Sequence, residues 1–149
     1  MIRLRLMYVV LFGCLFVGVA SSQGVTLPRA HHIELENGVV FILHEKRDVP
    51  LIGVRATIRG GAVSDPEGKS GLSSLLAGLL EKGAGPRGAA AFAEAVDSVG
   101  ASLSARASLE AITISGEFLA RDSDLMVELL VDMLLAPALE AGERRKLRD

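Results

Sequence analysis

The chain has 149 residues, half of them apolar, with a formal net charge of −2 and no tryptophan. That length suits one domain and little more. The near-neutral charge excludes the basic footprint of a nucleic-acid binder, and aromatics at 4% leave a core built from Leu, Val, Ile and Ala.

The first 22 residues differ in kind. Arg3 and Arg5 are the only charges before residue 29, and residues 6–20 are a continuous apolar run followed by Ser21 and Ser22. A positive start, an apolar centre and small residues predict a secretory signal peptide, cut after Ala20 or Ser22. The run is short for a bilayer span, which needs about 20 residues. The single cysteine, Cys14, lies inside it. Leu11-Phe12-Gly13-Cys14 departs from a lipid-attachment box, because Phe12 is bulky and the apolar run continues past the cysteine. Removal of this segment leaves residues 23–149 with no thiol. An exported protein, periplasmic or secreted, would then have neither disulfide nor thiolate metal ligand.

Asn37-Gly38 between the runs 31–36 and 39–45 predicts a hairpin with a type I′ turn. Pro50 opens a third strand over 51–59, rich in β-branched residues and closed by Gly60-Gly61. Residues 63–69 read as a loop, and Ser70 as the N-cap of a helix reaching Gly83. Leu72, Leu75, Leu76, Leu79 and Leu80 recur at helical spacing and lie on one side, with Ser74, Ala77, Gly78 and Glu81 on the other. A short loop over 84–87 leads to an alanine-rich helix over 88–99, ended by Gly100. Residues 101–108 and 109–118 alternate as an antiparallel pair joined by a tight turn. Asp122 or Ser123 caps a third helix with Leu125, Met126, Leu129, Leu130, Met133 and Leu134 on its buried face, and Pro137 breaks it. A fourth helix starts at Glu140 and meets no stop signal, so a truncated domain is expected. Its cluster Arg144-Arg145-Lys146-Leu147-Arg148 reads as a solvated face. Strands in pairs and helices in pairs predict an α+β fold, a mostly antiparallel sheet with helices on one face.

Three local patterns invite chemistry and fall short of it. Gly68-Lys69-Ser70 precedes a helix, but a phosphate loop needs glycine five residues before Gly68, and Val63 stands there. Asp65, Pro66 and Glu67 would set negative charge and a missing donor against a phosphate. Ser73 and Ser74 could be nucleophiles only with an adjacent base, and no histidine follows His44. His32, Glu34 and Glu36 would share one strand face and could meet a divalent metal. The same alternation is more common on the wet face of an edge strand.

One further set of motifs is spread from residue 35 to residue 139, across nearly all of the chain that follows the signal segment. It comprises Leu35-Glu36-Asn37-Gly38-Val39-Val40-Phe41-Ile42-Leu43-His44-Glu45, then Gly60-Gly61-Ala62-Val63-Ser64-Asp65-Pro66-Glu67-Gly68-Lys69-Ser70-Gly71-Leu72, then Lys82-Gly83-Ala84, Ser98-Val99-Gly100-Ala101-Ser102-Leu103 and Leu135-Ala136-Pro137-Ala138-Leu139. In order and spacing this resembles the amino-terminal part of the pitrilysin/insulinase metallopeptidases, which include the mitochondrial processing peptidases. The resemblance implies that family's α+β domain over residues 23–149. Active members carry His-x-x-Glu-His on the first long helix, where two imidazoles hold zinc and the glutamate activates water. The histidine positions here are Ser74 and Gly78 and the glutamate position is Ala77, so the resemblance implies no zinc and no catalytic residue. The family's third ligand, a later glutamate, has no assignable counterpart. Glu81 before Lys82-Gly83, in place of an apolar residue, also resembles the inert members. Those pair with an active peptidase subunit, or form the inert half of a two-domain chain, and help enclose peptide substrates. The expected role is therefore that of a non-catalytic partner in a hetero-oligomer. The other two readings are an active zinc metalloendopeptidase and an exported binding or structural protein.

Overall fold

A computed structural model describes residues 30–148. The expected signal segment, residues 1–22, lies outside them. The chain divides into two compact units between Lys46 and Arg47.

The first unit is a hairpin of β1 (His31–Glu34) and β2 (Val40–Leu43), with His31 opposite Leu43 and Glu34 opposite Val40. Its turn is not the type I′ that Asn37-Gly38 predicts. That type needs positive φ at both residues, and here only Gly38 has it, at 82°. The Gly38 amide donates to the Leu35 carbonyl at 2.9 Å and the Leu35 amide donates to the Val39 carbonyl at 2.8 Å. A three-residue loop results, with a left-handed glycine in third place. Asn37 acts through its side chain, its Oδ1 accepting from the Val39 amide at 3.1 Å.

The second unit contains β3 (Leu51–Arg59), α1 (Leu72–Leu80), the two-residue strands β4 (Gly83–Ala84) and β5 (Arg87–Gly88), α2 (Ala89–Asp97), β6 (Ser102–Ala107), β7 (Ala111–Leu119), α3 (Ser123–Leu135) and α4 (Ala141–Arg148). β4 and β5 replace the loop expected over 84–87. β7 is the central strand of an antiparallel sheet ordered β3-β7-β6. Ala56, Ile114 and Ala105 align across it, as do Val54, Gly116 and Leu103. Because side chains alternate along a strand, these rows share one face. The next row, Arg55, Ser115 and Ser104, lies on the other.

The apolar face carries the core. Ile112, Ile114, Phe118 and Ala105 from the sheet join Ala77 and Leu80 from α1, Phe92 and Val96 from α2, and Met126, Leu129 and Met133 from α3. The α+β fold with helices on one sheet face is thus as the sequence predicts. Each fully buried Ile, Phe, Leu or Met contributes about 1.5–3 kcal/mol relative to exposure. On α3 the expected face is correct except at Leu134, which is exposed. The α2 helix ends in a Schellman pair: the Gly100 amide donates to the Asp97 carbonyl, the Ala101 amide to that of Val96, and Gly100 has φ 63°. Arg87 ties β5 to α3, with Nη2 2.7 Å from Glu128 and Nη1 3.3 Å from Asp132.

Residues 60–73 hold α1 in place. The Gly60, Ala62 and Val63 amides donate to the carbonyls of Glu110, Ser108 and Leu109 in the β6–β7 turn, at 2.9–3.0 Å. Gly61 lies so close that a Cβ there would overlap the Ser108 carbonyl and sit 2.7 Å from the Ala111 nitrogen. Ser70 is not the N-cap. The helix opens after Gly71, at φ 93°, with no side-chain cap from that residue. Asp65 supplies the cap from six to eight residues upstream. Its Oδ2 accepts from the Gly71 amide at 2.7 Å, and its Oδ1 accepts from the Ser73 amide at 2.9 Å and the Ser73 hydroxyl at 2.6 Å. These bonds satisfy amides that a helix start leaves unpaired. The Ser73 hydroxyl, helped by the Ser73 and Gly71 amides, lowers the Asp65 pKa below its ordinary 3.8, against desolvation.

Gly61 and Asp65 can each be tested by substitution. Gly61→Ala lowers stability by about 1–3 kcal/mol, because the methyl meets backbone that cannot turn aside; urea unfolding measures it, and a wild-type midpoint would refute the close approach. Asp65 ionises more readily folded than unfolded, so its contribution is complete above the unfolded value and is lost as pH falls through the lower, folded value. Asp65→Ala therefore lowers the melting temperature at neutral pH, and the gap from wild type narrows in acid. Thermal melts of both proteins across that range check the sign.

Candidate functional site

The face of α1 at positions 74, 77 and 78 is where the sequence places a site. A helix brings i, i+3 and i+4 to one side, so these three positions converge whatever side chains they carry. The structure sets that side differently from the leucine stripe. Ala77 is 2% exposed and belongs to the core, whereas Leu72 is 44% exposed. Ser73, Ala77, Leu79 and Leu80 are the buried residues of the helix. The helix is rotated about its axis relative to the arrangement expected from leucine spacing, and Ala77 points toward the sheet. The cause is tertiary: Asp65 draws Ser73 inward at the first turn, and the methyl of Ala77 allows α1 to lie close to β6.

Gly78 has a different environment. Helix α4 packs on α1, and Leu147 reaches over the glycine. A Cβ at Gly78 would be 3.3 Å from Leu147 Cδ1 and 3.7 Å from its Cδ2. Ser74 alone of the three is exposed. A hydroxymethyl, a methyl and a hydrogen supply no set of zinc ligands at about 2 Å. The residues at this position therefore do not fit zinc, and no metal-dependent step runs through them. The fourth helix, whose charge cluster reads as a solvated face, also covers Gly78 through its one leucine.

The other sequence candidates separate in the same way. His32 and Glu34 lie on β1, but Glu36 falls in the turn and leaves their row. Among the described residues no three His, Cys, Asp or Glu come together as a metal group. The Ser73 hydroxyl is committed to Asp65, so it is a structural group and not a poised nucleophile. The amides of Gly71 and Ser73, which a phosphate at the Gly68-Lys69-Ser70 turn would need, are already bonded to the Asp65 carboxylate. From the sequence, Asp65 reads as charge hostile to phosphate and as one residue of the motif block, not as a helix cap. The missed signal was an aspartate in a Pro/Gly loop shortly before a helix that lacks its own cap.

The polar face of the sheet holds a shallow groove of about 350 Å³. Gly53 leaves room there, Ser102, Ser104 and Ser115 line it, and Arg55 and Glu117 are its charges. It has hydrogen-bonding groups but no paired acid and base.

Comparison with known proteins places these features. The family model for Insulinase (Peptidase family M16) matches residues 40–149. A Helicobacter pylori protein named non-peptidase homolog YmxG is 26% identical over 127 residues, 85% of this chain and 29% of its own length. The peptidase M16 inactive domain from Pseudomonas fluorescens superposes with TM-score 0.74 at 17% identity, covering 80% of this chain and 29% of that one. A protease from Helicobacter pylori superposes with TM-score 0.72 at 22% identity, covering 81% and 30%. These structures share the fold, and the chain spans less than a third of the length of each relative. Because the family model covers most of the chain, through both the loop that seats α1 and the helix that lacks the zinc residues, this protein belongs to the insulinase family of peptidases, M16.

Proposed function

We propose that this chain is an exported, non-catalytic member of its family, acting as the partner of an active zinc metallopeptidase subunit and helping to enclose peptide substrates. The observation that carries this reading is the α1 face. The positions where active relatives hold His, Glu and His are an exposed serine, a core alanine and a glycine under Leu147. The names of two similar proteins, a non-peptidase homolog and an inactive domain, agree with it. Export rests on residues 1–22, with Arg3, Arg5 and the apolar run over 6–20. The amino-terminal part of a peptidase domain then begins at residue 23.

Metal analysis with peptide hydrolysis tests the inert half of the proposal. The purified chain should hold no stoichiometric zinc and cleave no peptide; bound zinc with hydrolysis would sink the reading. The partnership predicts co-purification from the exported fraction with a subunit carrying His-x-x-Glu-His. Recovery without such a subunit would leave only the binding-protein reading.

The core placement of Ala77 has its own test. Ala77→Glu buries an unpaired carboxylate and lowers stability by about 3–5 kcal/mol, and Gly78→His forces an imidazole against Leu147 at about 1–3 kcal/mol. Combining both with Ser74→His should unfold the domain before it binds zinc. Denaturation in the presence and absence of zinc reads this out, and a stable, zinc-binding triple variant would show that the position retains room for the site.

A further inference from the structure

Glu81 breaks a local rule. It is the residue that closes α1, where the negative end of the helix dipole disfavours a carboxylate. Its side chain leaves the helix and crosses to the sheet, where Oε1 accepts from the Ala105 amide at 2.6 Å. That amide points away from β7, because Ser108, three residues on and of opposite parity, donates to Ala111 across the hairpin. Ala105 is therefore on the outer edge of β6, which pairs with no strand among the described residues. Leu103 and Ala107 point their backbone groups the same way.

An open edge is a template for another strand, and proteins blunt it with charge. On β3, Arg55 and Arg59 supply that charge. On β6 the only charged residue is Arg106. We propose that Glu81 is an internal plug on this edge, taking the hydrogen that an added strand would bond, and that it keeps β6 from pairing with the β6 of a second copy.

Little else in β6 opposes that pairing. In the two-fold antiparallel register centred on Ala105, Leu103 lies opposite Ala107 and Ser104 opposite Arg106, so no like charges face each other. The central Ala105 amide of each copy would bond the Ala105 carbonyl of the other. Both bonds require Glu81 to leave its place on the Ala105 amide. The same patch meets itself, as a two-fold interface requires.

Sedimentation equilibrium of the purified chain tests the plug with three variants. Glu81→Gln keeps an acceptor oxygen and should match wild type. Glu81→Asp keeps the charge but draws the oxygen back, and Glu81→Ala removes it. Both should self-associate at least tenfold more tightly than wild type, with the Ala105 amide protected from exchange in the dimer. Folded Asp and Ala variants with the wild-type mass at every concentration would overturn the proposal, as would a Gln variant that associates like the Ala variant. If the Ala and Asp variants fail to fold, amide exchange on the wild type decides: an Ala105 amide that exchanges as fast as that of Leu103 means that no plug is in place.

Discussion

The larger unit depends on how closely its helices approach one face of a three-stranded sheet. With few aromatics and no cysteine among the described residues, cohesion comes from aliphatic surface removed from water. Small side chains set the distance. Ala77, Ala84 and Ala105 are all buried in the same cluster. Ile114, Phe118, Leu129 and Met133 are its largest fully buried side chains. Close-packed protein interiors tolerate neither added nor removed methylenes without strain or cavity. The alanine at position 77 is thus part of the packing, and a glutamate could enter only with a different helix setting.

Residues 60–73 transmit that constraint to α1. Gly61 brings the loop against the β6–β7 turn, and Asp65 reaches forward to bind the first amides of the helix and the Ser73 hydroxyl. The sheet hairpin and the helix start are therefore fixed to each other by hydrogen bonds that involve no metal ligand. This explains how the motif block can persist as structure when the helix carries no catalytic residues. The segment after α1 is held by similar means. β4 makes a bridge from Ala84 to Pro137, and Arg87 pairs with two acids on α3. The route from α1 back to α4 is short as a result, and Leu147 arrives over Gly78.

Two residues at the ends of α1 carry charge in opposite relations to the helix dipole. Asp65 lies at the amino end, where a carboxylate is favourable, and its lowered pKa reflects the donors around it. Glu81 lies at the carboxyl end, where it is not, and its hydrogen bond is to a different element. A side chain placed against local preference and bonded across the fold signals a tertiary task. The helix between them has one side in the core and one under α4, with Leu72 and Ser74 exposed.

Most elements were legible from the chain alone, because their signals are local. Leucine spacing, Gly100, Pro137 and the alternation on either side of residue 109 report φ/ψ preferences and periodicity that do not depend on distant contacts. The identities at 74, 77 and 78 were legible too, since a helix fixes which positions converge. The sequence by itself thus determined the α+β class, the order of the elements and the absence of a His-x-x-Glu-His motif. Tertiary structure decided the rotation of α1, which put Ala77 in the core and left Leu72 outside; the substitution of Asp65 for Ser70 as the cap; the three-residue turn at Asn37-Gly38; and the contacts of Leu147 and Glu81. Each of those depends on groups brought together from separate parts of the chain or on a balance between neighbouring turn geometries, and periodicity carries no information about either.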